Sequence, residues 1–485
     1  MNLTIAKPCE LSRLIILIPI ALSAFTHLWN PAGFPDIFYD EGVYMRRAMN
    51  VLEGQGPQEG SFYEHPYFGQ LFLAGVLGLS GYPDSLNPAM TAESAAMLYA
   101  IPRVLMGILA VADTFLIYKI SEKRYGKRVA LISSILFAVM PITWLTRRIL
   151  LDSMLLPFLL ASILFAIYAG DATGRKKTIL IIFSGVFLGT AIFTKIPILT
   201  MIPLVGYLVY YSSKQKKMLG LWLVPVMLVP MIWPAYSAAA GQLDLWLTDV
   251  LWQTQRQSAG FASIVATFFS LDPVFLLLGT AGFVYAAVRK DISILLWIAP
   301  FVGFLSIIGY VQYFYWIPVL PVFCIAAARL IDRASAIKQI LPFVAIAGLG
   351  IFGLVFTTLL ITADVTSAQF EAIAFAADRA DSETTIASSP IYSWIFIYVF
   401  DNEHAFIDYR MLLFYPVETE EMLLVSDRHF QSNIEAGSQL RDLYDNTTTI
   451  ATFTGNVYNY DLRQYPYTNM KLNYEGSKIE IRMSN

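Results

Sequence analysis

Residues 98–145 read LYAIPRVLMGILAVADTFLIY (98–118), KISEKRYGKR (119–128) and VALISSILFAVMPITWL (129–145). Two apolar runs thus flank a loop with five Lys and Arg residues. A bilayer crossing takes about 20 apolar residues, and Lys and Arg gather in the short loops on the cytoplasmic side. This one stretch therefore supplies two crossings and the side on which they turn. The same pattern runs through the chain, with apolar runs near 11–29, 98–118, 129–145, 149–169, 178–194, 196–211, 219–239, 271–288, 292–309, 312–330 and 340–362. Composition agrees. The 485 residues are 56% hydrophobic and 14% charged, with a mean hydropathy of +0.57, whereas soluble domains are about 45–50% apolar and about 25% charged. The expected fold is a polytopic all-α membrane protein with about 11 transmembrane helices, one for each apolar run. A soluble enzyme is excluded. The net charge of -3 offers no basic excess for nucleic acid. Two cysteines, Cys9 and Cys324, supply neither a disulfide scaffold nor a Cys-based zinc site.

Basic residues recur in alternate loops: Arg175, Lys176 and Lys177; Lys214, Lys216 and Lys217; Arg289 and Lys290; Arg329, Arg333 and Lys338. These loops belong on the cytoplasmic side with the N-terminus. The first run, preceded by Lys7 and Arg13, has the look of a signal peptide. No small-residue cleavage site follows it and ten further runs do, so it reads as a retained anchor. An odd number of crossings then places everything after residue 362 outside, at a cell membrane or an endoplasmic reticulum-type membrane.

Residues 363–485 differ from the rest, with 8 Lys and Arg against 18 Asp and Glu and no run able to span. Ile391–Phe400, Met422–Ser426, Thr447–Phe453 and Ile479–Met483 read as strands, and Phe370–Arg379 as a helix. The expected organisation is a membrane core over residues 1–362 and a soluble extracytoplasmic α/β or α+β domain over 363–485. Asn446-Thr-Thr is a glycosylation sequon in that second part.

Chemistry is sought where polar residues meet the membrane on the outer side. The first outer loop, 30–97, carries the adjacent carboxylates Asp40 and Glu41. A segment follows with Met45, Met49 and Leu52 on one helical face and Arg46, Arg47 and Asn50 on the other, which reads as an interfacial helix along the bilayer. Glu64 and His65 then lead into a short apolar stretch, 67–81, expected to be re-entrant or juxtamembrane. On its own the carboxylate pair reads as a solvated helix N-cap. Its company changes that reading. Arg103, Arg147, Arg148, Asp152, Lys195 and Arg256 all fall at or near outer ends of spans, where ionisable groups are costly and are functional candidates by default. Outer cations facing an outer carboxylate pair describe a pocket for an anionic lipid headgroup beside a base.

These residues resemble a family. Arg147-Arg148-Ile149-Leu150-Leu151-Asp152 is similar to the Arg-aromatic-Ile-Leu-Leu-Asp segment of the protein O-mannosyltransferases, with Arg148 in place of the aromatic. Asp40-Glu41 is similar to that family's Asp-Glu pair. Glu64-His65-Pro66-Tyr67-Phe68-Gly69-Gln70 is similar to its His-Pro-Pro-Leu-Gly-Lys box, with Gln70 replacing the Lys. Arg103, Thr194-Lys195 and the aromatic-Pro run Tyr313–Pro321 extend the likeness over about residues 10–330. The aminoarabinose lipid A transferases, which share the GT-C fold, are a more distant match.

The resemblance implies a GT-C inverting glycosyltransferase that takes a sugar (a hexose, with mannose the family's own) from a polyprenyl- or dolichyl-phosphate donor. The acceptor would be a protein Ser or Thr hydroxyl, or a lipid. It makes Asp40 the general base and Glu41 an orienting group. Arg103, Lys195 and Arg256 become ligands of the donor phosphate, with Arg147 and Asp152 a supporting charge pair beside Arg148. Glu64 and His65 could be half of a divalent metal site, as metal occurs in some GT-C relatives. No Gly-rich phosphate loop is present, and a lipid-phosphate donor needs none. Two alternatives stand beside this one: a same-fold transferase acting on a lipid or glycan, and a non-enzymatic transporter or flippase. A transporter places ionisable residues at span centres, whereas a transferase joins Asp40, Arg103 and Asp152 around an outer cavity.

Overall fold

A computed structural model describes residues 14–60, 62–82, 90–256, 260–308, 310–413, 421–434, 438–455 and 477–484. Cys9 and Lys7 lie outside them. Among the described residues six helices are long and apolar enough to cross a membrane. The longest runs from Ala92 to Tyr125, 34 residues. It starts where the Thr91 hydroxyl accepts the Ser94 N–H, and it stops at Gly126, whose φ of 93° suits a residue without Cβ. Helices Leu151–Tyr168, Gly174–Thr194 and Leu341–Ile361 and the composite segments Ile196–Ser213 and Tyr313–Ala336 are the other five.

Counting three bent pairs raises the total to nine. The eleven expected from hydropathy is therefore not reached by length. Leu17–Leu28 has 12 residues and Ile292–Ile307 has 16, both short of a straight crossing. Breaks explain part of the difference. Helix Lys127–Val139 passes into the 3-10 turn Pro141–Arg147 with a 70° bend, because Pro141 cannot continue the hydrogen-bond ladder. That bend swings Arg147 and Arg148 sideways, away from the helix axis and into the protein. Such breaks survive at membrane depth only where other groups satisfy the freed backbone. Thr26 and Thr357 hydroxyls do so here, donating to the carbonyls of Ala138 and Val139.

The C-terminal residues form a four-stranded sheet of β1 (Thr385–Ala387), β2 (Met422–Ser426), β3 (Thr447–Gly455) and β4 (Ser477–Ser484), in the order β1-β2-β4-β3. Strands β1 and β2 are parallel, and the other two pairings are antiparallel. Helix Ser367–Arg379 covers the sheet. One sequence reading is corrected: Ile391–Phe400 is not a strand. Pro390 opens a helix, Pro390–Tyr398, in which every residue from Pro390 to Phe396 is buried. Proline suits a helix's first position, and a short run apolar on all sides has no periodicity to separate strand from buried helix.

That helix lies on Tyr39–Leu52, the segment carrying the carboxylate pair. This is a second correction. Tyr39–Leu52 does not rest on the bilayer as an amphipathic helix. Met45 and Met49 are buried on one side, and Arg46 and Asn50 are buried on the other. The helix is packed between the short apolar helix Phe68–Leu79 and helix Pro390–Tyr398 of the C-terminal region.

Candidate active site

Helix Tyr39–Leu52 begins with two carboxylates that part company. Successive helical residues point about 100° apart, so Asp40 and Glu41 cannot share an environment. Glu41 occupies the third helical position and reaches back to accept the Phe38 N–H at 2.9 Å, the return half of a capping box. Its side chain is 0% exposed. Arg103 grips both oxygens, Nε to Oε1 at 3.0 Å and Nη2 to Oε2 at 2.9 Å. Arg148 adds Nη1 to Oε2 at 2.9 Å, and the Ile149 N–H donates to Oε1 at 3.1 Å. Burial alone pushes this carboxyl's pKa up, but the two guanidiniums outweigh it and hold it below the usual range.

The same two arginines order the chain in front of the helix. Arg103 Nη1 donates to the carbonyls of Pro31 and Pro35, and its Nη2 donates to Asp36. Arg148 donates to the Asp36 carbonyl and, at 2.6 Å, to the Asp36 carboxylate. Every nitrogen of Arg103 therefore donates within the protein, and the side chain is 1% exposed. A donor phosphate is the ligand expected for Arg103, whose five N–H groups are taken up by the protein instead. It has no donor left to offer one.

Arg147 also departs from its expected role beside Asp152. Its guanidinium donates to the carbonyls of Thr26, Trp29 and Asn30, closing the end of helix Leu17–Leu28. Asp152 pairs with Lys195 instead, Nζ to Oδ2 at 2.6 Å. The break between Thr194 and Ile196 turns Lys195 inward, where its ammonium sits 3.7 Å from the centre of the Tyr315 ring.

A cavity of about 150 Å³ opens beside this pair. Glu64, His65, Lys195, Trp233, Tyr310 and Tyr315 line it, with apolar Ile196, Phe304 and Ile308 on another wall. Glu64 accepts from Arg47 at 2.8 Å. Burial raises the Glu64 pKa, but Arg47 and then His65 bring it down to about 2. Burial lowers His65 to about 4 despite the pull of Glu64, so its imidazole is neutral at pH 7. Glu64 and His65 approach to 4.0 Å. Among the described residues no group of three His, Cys, Asp or Glu side chains could hold a metal ion. The half-site expected at these two residues does not gain the third ligand that zinc sites usually require.

Asp40 is half-buried and lies among these groups. Burial raises its pKa to about 7, the charge of Glu64 adds to the rise, and Lys195 and Arg256 oppose it. The two neighbours in sequence thus have pKa values pushed in opposite directions, which is how acid-base roles are separated in a single site. Arg256 follows helix Leu243–Gln255, donates to Gln253 at 3.1 Å and lies 3.7 Å from the centre of the Tyr310 ring. No carboxylate pairs with it among the described residues.

Sequence reasoning missed Arg47, Tyr310 and Tyr315 as members of the site. Tyr315 lay in a quoted aromatic-Pro run, and Arg47 had been placed on a bilayer-facing helix that proves to be buried. Nothing local to Tyr310 signals its stacking on Arg256.

Glu41→Gln leaves two buried guanidiniums facing a neutral amide. Breaking a buried pair of this kind costs about 3–5 kcal/mol, so thermal unfolding in detergent should show a large drop in Tm. An unchanged Tm would remove Glu41 from this structural role.

Residues 17–253 match the profile of a family described as dolichyl-phosphate-mannose-protein mannosyltransferase. No curated protein sequence matches the chain. Among solved structures, ArnT from Cupriavidus metallidurans in the apo state is similar with a TM-score of 0.58 at 13% identity, covering 98% of each chain. The same protein bound to undecaprenyl phosphate gives 0.57 at 12%, again with 98% of each covered. The oligosaccharyltransferase of Archaeoglobus fulgidus, in complex with Zn and sulfate, gives 0.56 at 12%, covering 91% of this chain and 71% of that one. At such identities the structural likeness speaks for the fold, which is GT-C, and the family profile adds a likeness over residues 17–253. The chain is a multi-pass membrane glycosyltransferase of the GT-C type, related over residues 17–253 to the protein mannosyltransferase family.

Proposed function

We propose that the chain moves a hexose, mannose in the first instance, from a polyprenyl- or dolichyl-phosphate donor to an acceptor hydroxyl of a protein Ser or Thr, with inversion. The observation that carries this reading is Asp40: a half-buried carboxyl with a pKa near 7, close to a cavity lined by Lys195, with Arg256 stacked on the cavity residue Tyr310 and no carboxylate paired with Arg256 among the described residues. A base matched to the working pH is what proton abstraction from a hydroxyl requires. The matching family profile supports a lipid-phosphate donor.

Asp40 in its ionised form takes the hydroxyl proton as the oxygen attacks the anomeric carbon. The bond from that carbon to the phosphate oxygen breaks, and its electron pair leaves with the phosphate. Arg256 meets the developing charge, helped by Lys195, whose ammonium has two protons beyond the one given to Asp152. Neutral His65 and ionised Glu64 face the cavity as partners for sugar hydroxyls. Arg103, Arg148 and Glu41 hold the segment in place and touch no substrate.

Asp40→Asn should abolish sugar transfer from a polyprenyl-phosphate donor in membranes while the protein still folds, and near-normal turnover would sink the reading. Mass spectrometry of the products separates protein from lipid acceptors.

The pH profile tests the base directly. Asp40 must lose its proton to work, so kcat/KM should climb about tenfold per pH unit below its pKa of about 7 and level off above it. Glu64→Gln removes a charge that raises this pKa, so the acid limb should move to lower pH. Arg256→Ala removes one that lowers it, so the limb should move up and the donor KM rise. A limb that stays put in both variants rules out Asp40 as the titrating group.

The basic loops favour an N-terminus in the cytoplasm and residues 363–485 outside. Protease added to right-side-out vesicles should then cleave that C-terminal region, and its full protection would reverse the orientation.

A further inference from the structure

The first turn of helix Tyr39–Leu52 is held from two directions, and only one of them is the membrane core. From the core side, Arg103 and Arg148 fix Glu41. From the other side comes a set of contacts made by the C-terminal region. The Tyr39 hydroxyl donates to the Asp408 carboxylate. Arg410 holds that carboxylate through Nε at 2.9 Å and Nη2 at 2.6 Å, and its guanidinium lies 4.8 Å from the centre of the Tyr39 ring. The His429 ring packs on Tyr39 with centroids 4.4 Å apart.

One turn later, Arg46 donates to the Ile407 carbonyl at 2.8 Å, and Ser393 donates to the same oxygen at 2.9 Å. Between these two points sits Gly42. A Cβ there would fall 2.1 Å from the Pro390 carbonyl oxygen, so the C-terminal helix rests directly on the backbone. Ahead of the turn, Gln369 exchanges hydrogen bonds with both backbone groups of Ile37.

Asp40 lies between Tyr39 and Glu41, and its backbone is fixed only as well as those neighbours are. Glu41 is anchored on one side of Asp40, and on the other side the residue next to it is Tyr39. The Tyr39–Asp408 bond is the side-chain anchor nearest to Asp40 on that side. A phenol donating to a carboxylate is a charge-assisted bond, stronger than a neutral one, and Arg410 fixes the carboxylate in turn.

We infer that Tyr39 and Asp408 are positioning residues for the base, and that the C-terminal region is thereby a working part of the active site. This rests on the reading of Asp40 as the base given above. Displacing a reacting group by about 1 Å costs on the order of 10²-fold in rate, so loss of one anchor should show in kcat.

The test uses the full chain in membranes. Tyr39→Phe keeps the ring packing and removes only the hydroxyl. Asp408→Asn removes the charge, and Asp408→Glu restores it. Tyr39→Phe and Asp408→Asn should each lower kcat by about 10- to 100-fold with the donor KM and the Tm close to wild type, and Asp408→Glu should recover part of the loss. Should Asp408→Asn fail to fold, Tyr39→Phe alone decides the matter. Wild-type kcat in Tyr39→Phe overturns the inference, and so does a loss of kcat that comes with a matching loss of Tm. Asp40→Asn, measured alongside, keeps the two readings apart. If it remains active, the assignment of the base has failed. If it is inactive while Tyr39→Phe and Asp408→Asn turn over normally, only the positioning role has failed.

Discussion

Moving a carboxylate from water into a protein interior costs several kcal/mol even after relaxation. Glu41 makes that move only because two guanidiniums and two backbone N–H groups meet it there. None of the three charged partners could be buried without the others. Arg103 comes from the long helix and Arg148 from the turn after the 70° bend, while Glu41 comes from the segment between helices Leu17–Leu28 and Ala92–Tyr125. Three parts of the chain remote in sequence are therefore tied at one point. The remaining donors of the two arginines order residues 31–36, so the path of the chain into helix Tyr39–Leu52 is set by the same tie.

With that frame in place, Asp40 inherits a different setting from its neighbour. It has no guanidinium of its own, and it shares its surroundings with the ionised Glu64. Burial and a like charge hold its proton to near neutral pH, whereas burial among cations strips the proton from Glu41. Two adjacent carboxylates, one turned to each side of a helix, thus divide into a structural anion and a titrating group. Lys195 and Asp152 pair close by, and Arg256, stacked on the cavity residue Tyr310, has no carboxylate partner among the described residues.

Much of this could be read in the sequence in kind, and little of it in partnership. Charges among apolar runs at 103, 147, 148, 152 and 195 stand out because burying them is expensive. Which cation meets which carboxylate depends on a bend at Pro141, inside an unbroken apolar run, and on the inward turn at Lys195, whose direction hydropathy does not give. Arg147 next to Asp152 in a family-like segment suggested a pair, yet the bend sends them to opposite neighbours. The membrane fold followed from composition because a bilayer imposes one strong rule on length and polarity. The C-terminal region obeys no such rule, and there Ile391–Phe400 had the β-branched and aromatic content of a strand while most of it forms a helix, buried from Pro390 to Phe396. The burial of helix Tyr39–Leu52 was hidden for a related reason: its partner is some 350 residues away.

The helix Ala92–Tyr125 also acts as a ruler. Its 34 residues extend about 51 Å at about 1.5 Å each, whereas the hydrocarbon core is about 30 Å thick. With the Lys119–Arg124 end at one headgroup layer, about 20 residues of rise bring the opposite boundary near Tyr99. Arg103 then lies roughly one turn inside that boundary, and the turns above Tyr99 stand clear of the lipid, where Tyr99 bonds the Ile391 carbonyl. Depth is thereby set by residue count along a rigid rod. The clasp on Glu41 is then fixed at one height along this rod.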